Sequence, residues 1–120
     1  MKIKRDPADI AFSKYIRTRD KWTCQRCGKQ YPPNSQGLHC SHYFGRGKES
    51  TRFHPDNCDA LCYGCHQVWG SRDREAYREF KVKQLGEAGF EALRLTSETL
   101  VKKDRKAALI YARELLKEVE

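Results

Sequence analysis

Apolar positions recur along this chain in short helical stripes, broken by polar, turn-rich stretches. Asp6-Pro7 reads as a helix start, an N-cap residue followed by proline at the first helical position. Ala8, Ala11, Phe12, Tyr15 and Ile16 then follow the spacing of one apolar face, which predicts a helix to about Arg19. Residues 21–36 lose that period and read as a knuckle and a turn. Leu38 to Phe44, bounded by Gly37 and Gly45, reads as a strand; Gly45 to Asp56 as a polar loop; Asn57 to Leu61 as a second short strand. Cys62 to Trp69 turns into a helix. Further helices are expected over Asp73–Leu85, with Ala76, Tyr77 and Phe80 inward, and over Glu87–Leu95. Asp104 caps a last one, whose stripe is Ala108, Tyr111, Ala112, Leu115 and Val119. The simplest role for every stripe is core packing.

Little strand and much helix predict a small α+β fold. The length, 120 residues, fits one domain over 1–120, with a core at about 20–70 and a helical extension at about 71–120. No apolar run is long enough to span a membrane, and no basic start precedes an apolar stretch. The expectation is a chain without membrane attachment, in a reducing cytoplasm.

Charge changes the picture. The net charge is +8, and residues 1–52 carry all of it, with twelve Lys and Arg against four Asp and Glu. Residues 53–120 carry twelve of each. A basic half is the electrostatic footprint of nucleic-acid binding, since cations that neutralise phosphates release condensed counterions. A solvated surface accounts for the same charge. Arg17 and Arg19, on the polar side of the first helix, are candidate phosphate contacts or plain surface residues.

A core this small is marginal without a staple, and six cysteines offer one. Disulfides need an oxidising compartment, so a metal is the better reading. Cys24 and Cys27 form one Cys-x-x-Cys, and Cys62 and Cys65 a second. Two such pairs can close a tetrahedral zinc site with no open position, which holds structure rather than performs chemistry. Cys40 and Cys58 lie outside the pairs and read as small buried residues.

Between the pairs stand His39-Cys-Ser-His42-Tyr-Phe-Gly-Arg46 and Phe53-His-Pro-Asp-Asn57, followed by Ala60-Leu-Cys62-Tyr-Gly-Cys65-His66. The run Asn57-x-x-x-Leu61-Cys62-x-x-Cys65-His66 resembles the HNH endonucleases, whose ββα-metal site is strand, loop, strand and helix. Zinc-stapled members of that family carry both cysteine pairs in these places. From Ser13-x-x-Ile16-Arg17-x-Arg19-Asp20 to the late helices, the chain is also similar to the phage lambda NinG-like recombination endonucleases.

The resemblance implies a metal-dependent endonuclease that nicks or cuts duplex or branched DNA, carried by a phage or prophage and working in the bacterial host cytoplasm as monomer or homodimer. Its catalytic residues would be His42, Asn57 and His66. His42 would be the general base, Asn57 would orient it and pin the loop, and His66 would hold a catalytic divalent cation (Mg²⁺, Mn²⁺ or Ni²⁺). His66 beside Cys65 has zinc ligation as its rival role, and His42 alone would read as a packed histidine. Arg46, a surface charge otherwise, could clamp a phosphate. Many HNH enzymes place Asp or His directly before the base, whereas here Ser41 stands there. His39 is the candidate substitute ligand, and His54 the next. A non-catalytic zinc module that binds DNA is the competing reading. A Cys-x-x-Cys redox protein would need a βαβ context that is missing.

Overall fold

A computed structural model describes residues 5–120. Helix α1 spans Pro7–Arg19. Asp6 caps it reciprocally: its side chain accepts from the Asp9 amide at 3.1 Å, and the Asp6 amide donates to the Asp9 carboxylate at 2.9 Å. Lys21 and Trp22 then both take left-handed backbone angles, φ 56° and 54°, and turn the chain out of the helix. The Arg17 guanidinium lies 4.8 Å over the Trp22 ring and covers that turn.

Two strands follow, β1 at Leu38–His42 and β2 at Cys58–Cys62. They pair antiparallel, with Leu38 opposite Cys62 and His42 opposite Cys58. The first strand is shorter than its apolar run predicts, because Asn57 takes the next two amides. The Tyr43 amide donates to the Asn57 carbonyl, and the Phe44 amide to its side-chain oxygen, both at 2.8 Å. Asn57 itself ends a 3₁₀ turn, Pro55–Asn57, rather than opening β2. The polar loop between the strands also contains a short helix the sequence pattern did not suggest, α2 at Glu49–Arg52.

Helix α3, Tyr63–Gln67, starts at the end of β2 and runs into a π-helical turn at Val68–Arg72. The two helices expected over 73–95 are both present, 74–85 and 87–97, and meet at a non-helical Gly86; together they are α4, Arg74–Ser97. Gly86 has φ 78° and ψ 162°, angles an L side chain resists. Helix α5 spans Arg105–Val119 behind its Asp104 cap. Ala112, Leu115 and Val119 pack inward as the stripe predicts, Leu116 joins them, and Tyr111 turns outward.

The sheet is covered on two sides. Cys58 meets Phe12, Tyr15 and Ile16 of α1 and Ala112 of α5. Burying Phe12 and Ile16 stabilises by roughly 1.5–3 kcal/mol each. Toward α4, Ser41 and Asp59 meet a buried polar network. Lys81 Nζ donates to Asp59 at 3.1 Å and to Gln84 at 2.7 Å, and the Tyr77 hydroxyl donates to Asp59 at 3.0 Å. Trp69 stacks on Tyr77 at 4.8 Å between ring centres.

Lys81 and Asp59 are both fully buried. Lys81→Met should therefore cost about 3–5 kcal/mol, because it strands the carboxylate without its cation. The Lys81→Met/Asp59→Asn pair should recover most of that loss in urea melts.

Candidate functional site

The four paired cysteines converge. Their sulfurs all lie within 4.8 Å of one another, and Cys27 and Cys62 stand 3.9 Å apart. The first knuckle is shaped by its backbone: the Gly28 amide donates to the Cys24 carbonyl at 2.9 Å, with Gly28 at φ 79°. The Gln25 amide donates to the Ala60 carbonyl at 2.9 Å and ties the knuckle to β2. The second pair bridges the end of β2 and the start of α3. A tetrahedral Zn–S₄ centre has sulfur–sulfur edges of about 3.8 Å, so the set fits zinc.

The electrostatics also point to a cation. Burial raises the Cys24 thiol, but the amides of Cys27, Cys62 and Arg26 more than offset this and hold it at about 7. Burial pushes Cys65 up to about 12, with the other three thiols adding to the rise and Arg26 opposing it. Four clustered sulfurs cannot all ionise beside one another without a positive charge among them. The cluster can hold a structural metal such as zinc.

A separate cavity of about 240 Å³ is lined by His39, Cys40, His42 and His66, with Phe12, Asp9 and Arg46 among its other walls. The ring nitrogens Nδ1 of His39 and His66 approach to 3.3 Å. Two imidazole nitrogens bound to one metal at about 2.0–2.1 Å stand about 3.0–3.4 Å apart, so this pair fits a shared cation. Desolvation lowers both rings below the ordinary histidine value, which favours their neutral, ligating form. Ser41 is buried against Tyr77, 3.2 Å from its hydroxyl, and does not line the cavity. His54 is also elsewhere: its Nδ1 accepts from the Asp56 amide at 3.2 Å and caps the 3₁₀ turn.

His42 is held through one nitrogen. Its Nε2 lies 2.9 Å from the Arg52 carbonyl, which can only accept, so Nε2 carries the hydrogen and Nδ1 keeps its lone pair. Burial pushes its pKa down to about 4, with the Arg46 and Arg52 charges adding to the fall. The Arg52 side chain is in turn fixed by Asp9, with contacts of 2.9 and 2.5 Å. Burial works against the Asp9 charge, yet the hydrogen bonds from Arg52 and the Asp6 amide hold its carboxyl at about 2. Fully buried Asn57 closes this loop: its Nδ2 donates to the Phe44 and Thr51 carbonyls, each at 3.0 Å. Asn57 thus reaches His42 through the loop that carries Arg52. Asp9 and Arg52 lacked a sequence signal, because nothing in spacing joins residues 43 apart.

The arginines singled out by sequence separate. Arg46 borders the cavity, 3.3 Å from Asp9. Arg17 donates to the Ser13 and Ser35 carbonyls, so its place is partly structural. Arg19 is a correction to the surface reading. It donates to Asp20 and to the carbonyls of Pro55 at 2.8 Å and Cys58 at 2.7 Å, clamping α1 to the start of β2. A phosphate contact would have to break those bonds.

Fold and site together define a small α+β protein with a two-stranded sheet and a four-cysteine cluster that could hold a metal. The chain belongs to the bacteriophage lambda NinG protein family, whose model matches residues 4–120. No curated protein and no solved structure matches it. Among the described residues no helix is long and apolar enough to cross a membrane.

Dialysed protein should contain about one zinc per chain by elemental analysis. Cys24→Ser should lose that zinc and melt well below the wild type. His42 should titrate near 4 when followed by NMR in zinc-loaded protein. Because that value lies below the unfolded 6.5, His42 adds no pH dependence above 6.5. As pH falls from 6.5 toward 4 it should cost up to about 3 kcal/mol of stability.

Proposed function

We propose that this protein is a metal-dependent DNA endonuclease of the HNH type, with β1, β2 and α3 as its ββα-metal unit. The observation that carries the reading is one cavity bordered by a singly anchored His42 and by the facing His39–His66 pair. His42 Nδ1 is free to accept the proton of an attacking water, while the Arg52 carbonyl fixes the ring. At neutral pH His42 is unprotonated, the state a base needs. A phosphodiester entering beside it adds negative charge, which raises its proton affinity toward the working range. Arg46 on the cavity wall supplies a fork for the phosphate oxygens. A Mg²⁺, Mn²⁺ or Ni²⁺ ion held by His39 and His66 would stabilise negative charge on the phosphate and on the leaving oxygen. Duplex or branched DNA is the proposed partner, met through phosphate contacts with little sequence preference. The +8 charge and the arginines Arg5 and Arg46 at the cavity favour such a polyanion.

A plasmid-nicking assay across Mg²⁺, Mn²⁺, Co²⁺ and Ni²⁺ tests this. His42→Ala should keep zinc and fold but cleave roughly 10²–10⁴-fold more slowly. His39→Ala and His66→Ala should both weaken the apparent affinity for the added metal, and high metal should partly rescue them. It should not rescue His42→Ala. Asn57→Ala should cleave at an intermediate rate and melt earlier, since it releases three hydrogen bonds of its side chain. If zinc-loaded wild type cuts no DNA with any of these ions, the reading gives way to a non-catalytic zinc module that binds DNA.

A further inference from the structure

Cys40, His42 and Cys58, at the cavity or just behind it, belong neither to the four-cysteine cluster nor to the His39–His66 pair. Cys40 and His42 are two residues apart on β1 and share a face by strand alternation. Cys58 on β2 stands directly opposite His42 in the register. Alternation and pairing together bring two thiols and one imidazole to the same patch of sheet, and their ligand atoms lie within 4.8 Å of one another. Cys40 borders the cavity, and Cys58 is wholly buried behind it against α1.

The geometry points to a second, thiophilic metal site formed by Cys40, His42 and Cys58, which takes zinc or a similar soft divalent cation. Two sulfurs and an imidazole suit Zn²⁺ and disfavour Mg²⁺, which selects oxygen donors. A tetrahedral zinc needs donor edges of about 3.6–3.8 Å, within reach of a small side-chain adjustment from the present spacing. With Nε2 held by the Arg52 carbonyl, Nδ1 is the His42 atom with a lone pair to give. Burial and the neighbouring Cys40 thiol push Cys58 well above the ordinary thiol value, so it is a neutral thiol until a cation arrives. Binding replaces two S–H protons by one Zn²⁺: both protons leave to solvent, no net charge is added, and no oxidant or reductant is required. Three protein ligands leave the fourth position to water from the cavity.

The consequence for catalysis rests on the nuclease reading. A metal on His42 Nδ1 occupies the lone pair that would take the proton from water. Zinc above the amount needed by the knuckle then switches cleavage off, while Mn²⁺ or Ni²⁺, completed by water oxygens, supports it at His39 and His66.

The test separates the two claims. Protein carrying one zinc in its knuckle is titrated with Zn²⁺ in a His39→Ala background, which removes the competing bis-imidazole pair. A second zinc should bind and release about two protons per ion, as thiol ligands require. It should also shield Cys40 from alkylation. Adding Cys40→Ser, or separately Cys58→Ala, should abolish the second binding event while leaving the first zinc in place. A second zinc that persists in both variants, or that binds without proton release, overturns the site. In the cleavage arm, Cys40→Ser in an otherwise wild-type chain is compared with its own rate under Mg²⁺ or Mn²⁺ without added zinc. It should resist excess zinc by more than the roughly 10- to 100-fold that even an outer-shell partner is worth to a metal. Equal inhibition of both proteins overturns the switch. Zinc capture without any cleavage would leave the site standing and remove the nuclease reading.

Discussion

The pairing of β1 with β2 is the contact on which the rest depends. Its register sets Leu38 against Cys62 at one end and His42 against Cys58 at the other. The same five-residue ladder therefore delivers a cysteine to the four-cysteine cluster and a histidine to the cavity. A slip of one residue would send His42 and Cys40 to the α4 side and Ser41 to the cavity. Two strands alone are marginal in water, so the register has to be enforced from outside. The knuckle does this at one end through the Gln25–Ala60 hydrogen bond, and Asn57 at the other through Tyr43 and Phe44.

The two helical covers differ in chemistry. Toward α1 and α5 the contact is apolar, with the ion-paired Asp9, Arg46 and Arg52 group beside the cavity. Toward α4 it is a buried ion pair with a tyrosine and a glutamine around it. A salt bridge without exposure contributes little net stability but penalises any arrangement that separates its partners. Lys81 and Asp59 therefore act mainly to fix where α4 sits on the sheet. On the other side, Asp9 governs the cavity indirectly, because the arginine it holds presents the carbonyl that orients His42.

Burial gives the histidines their character. Each of His39, His42 and His66 lies below the ordinary imidazole value because water is largely excluded around it. Neutral rings are what both metal binding and proton acceptance require.

Much was legible in the chain itself. The Asp6-Pro7 start, the two Cys-x-x-Cys pairs, the two strand positions and the break at Gly86 are local signals, written in neighbouring residues and in backbone preferences. The helical stripes of α1 and α5 follow from periodicity in the same way, although Tyr111 faces outward and Leu116 joins the packed face. Tertiary structure alone decided the rest. Arg19 looks like a surface cation by helical position, yet three backbone and side-chain acceptors lie where the chain returns to α1. Asp9 meets Arg52, His39 meets His66, and Cys40 and His42 meet Cys58 only because strand register and helix docking bring distant segments together. Such meetings leave no periodic trace in a sequence, since they depend on the sum of many weak packing choices rather than on any residue's own preference.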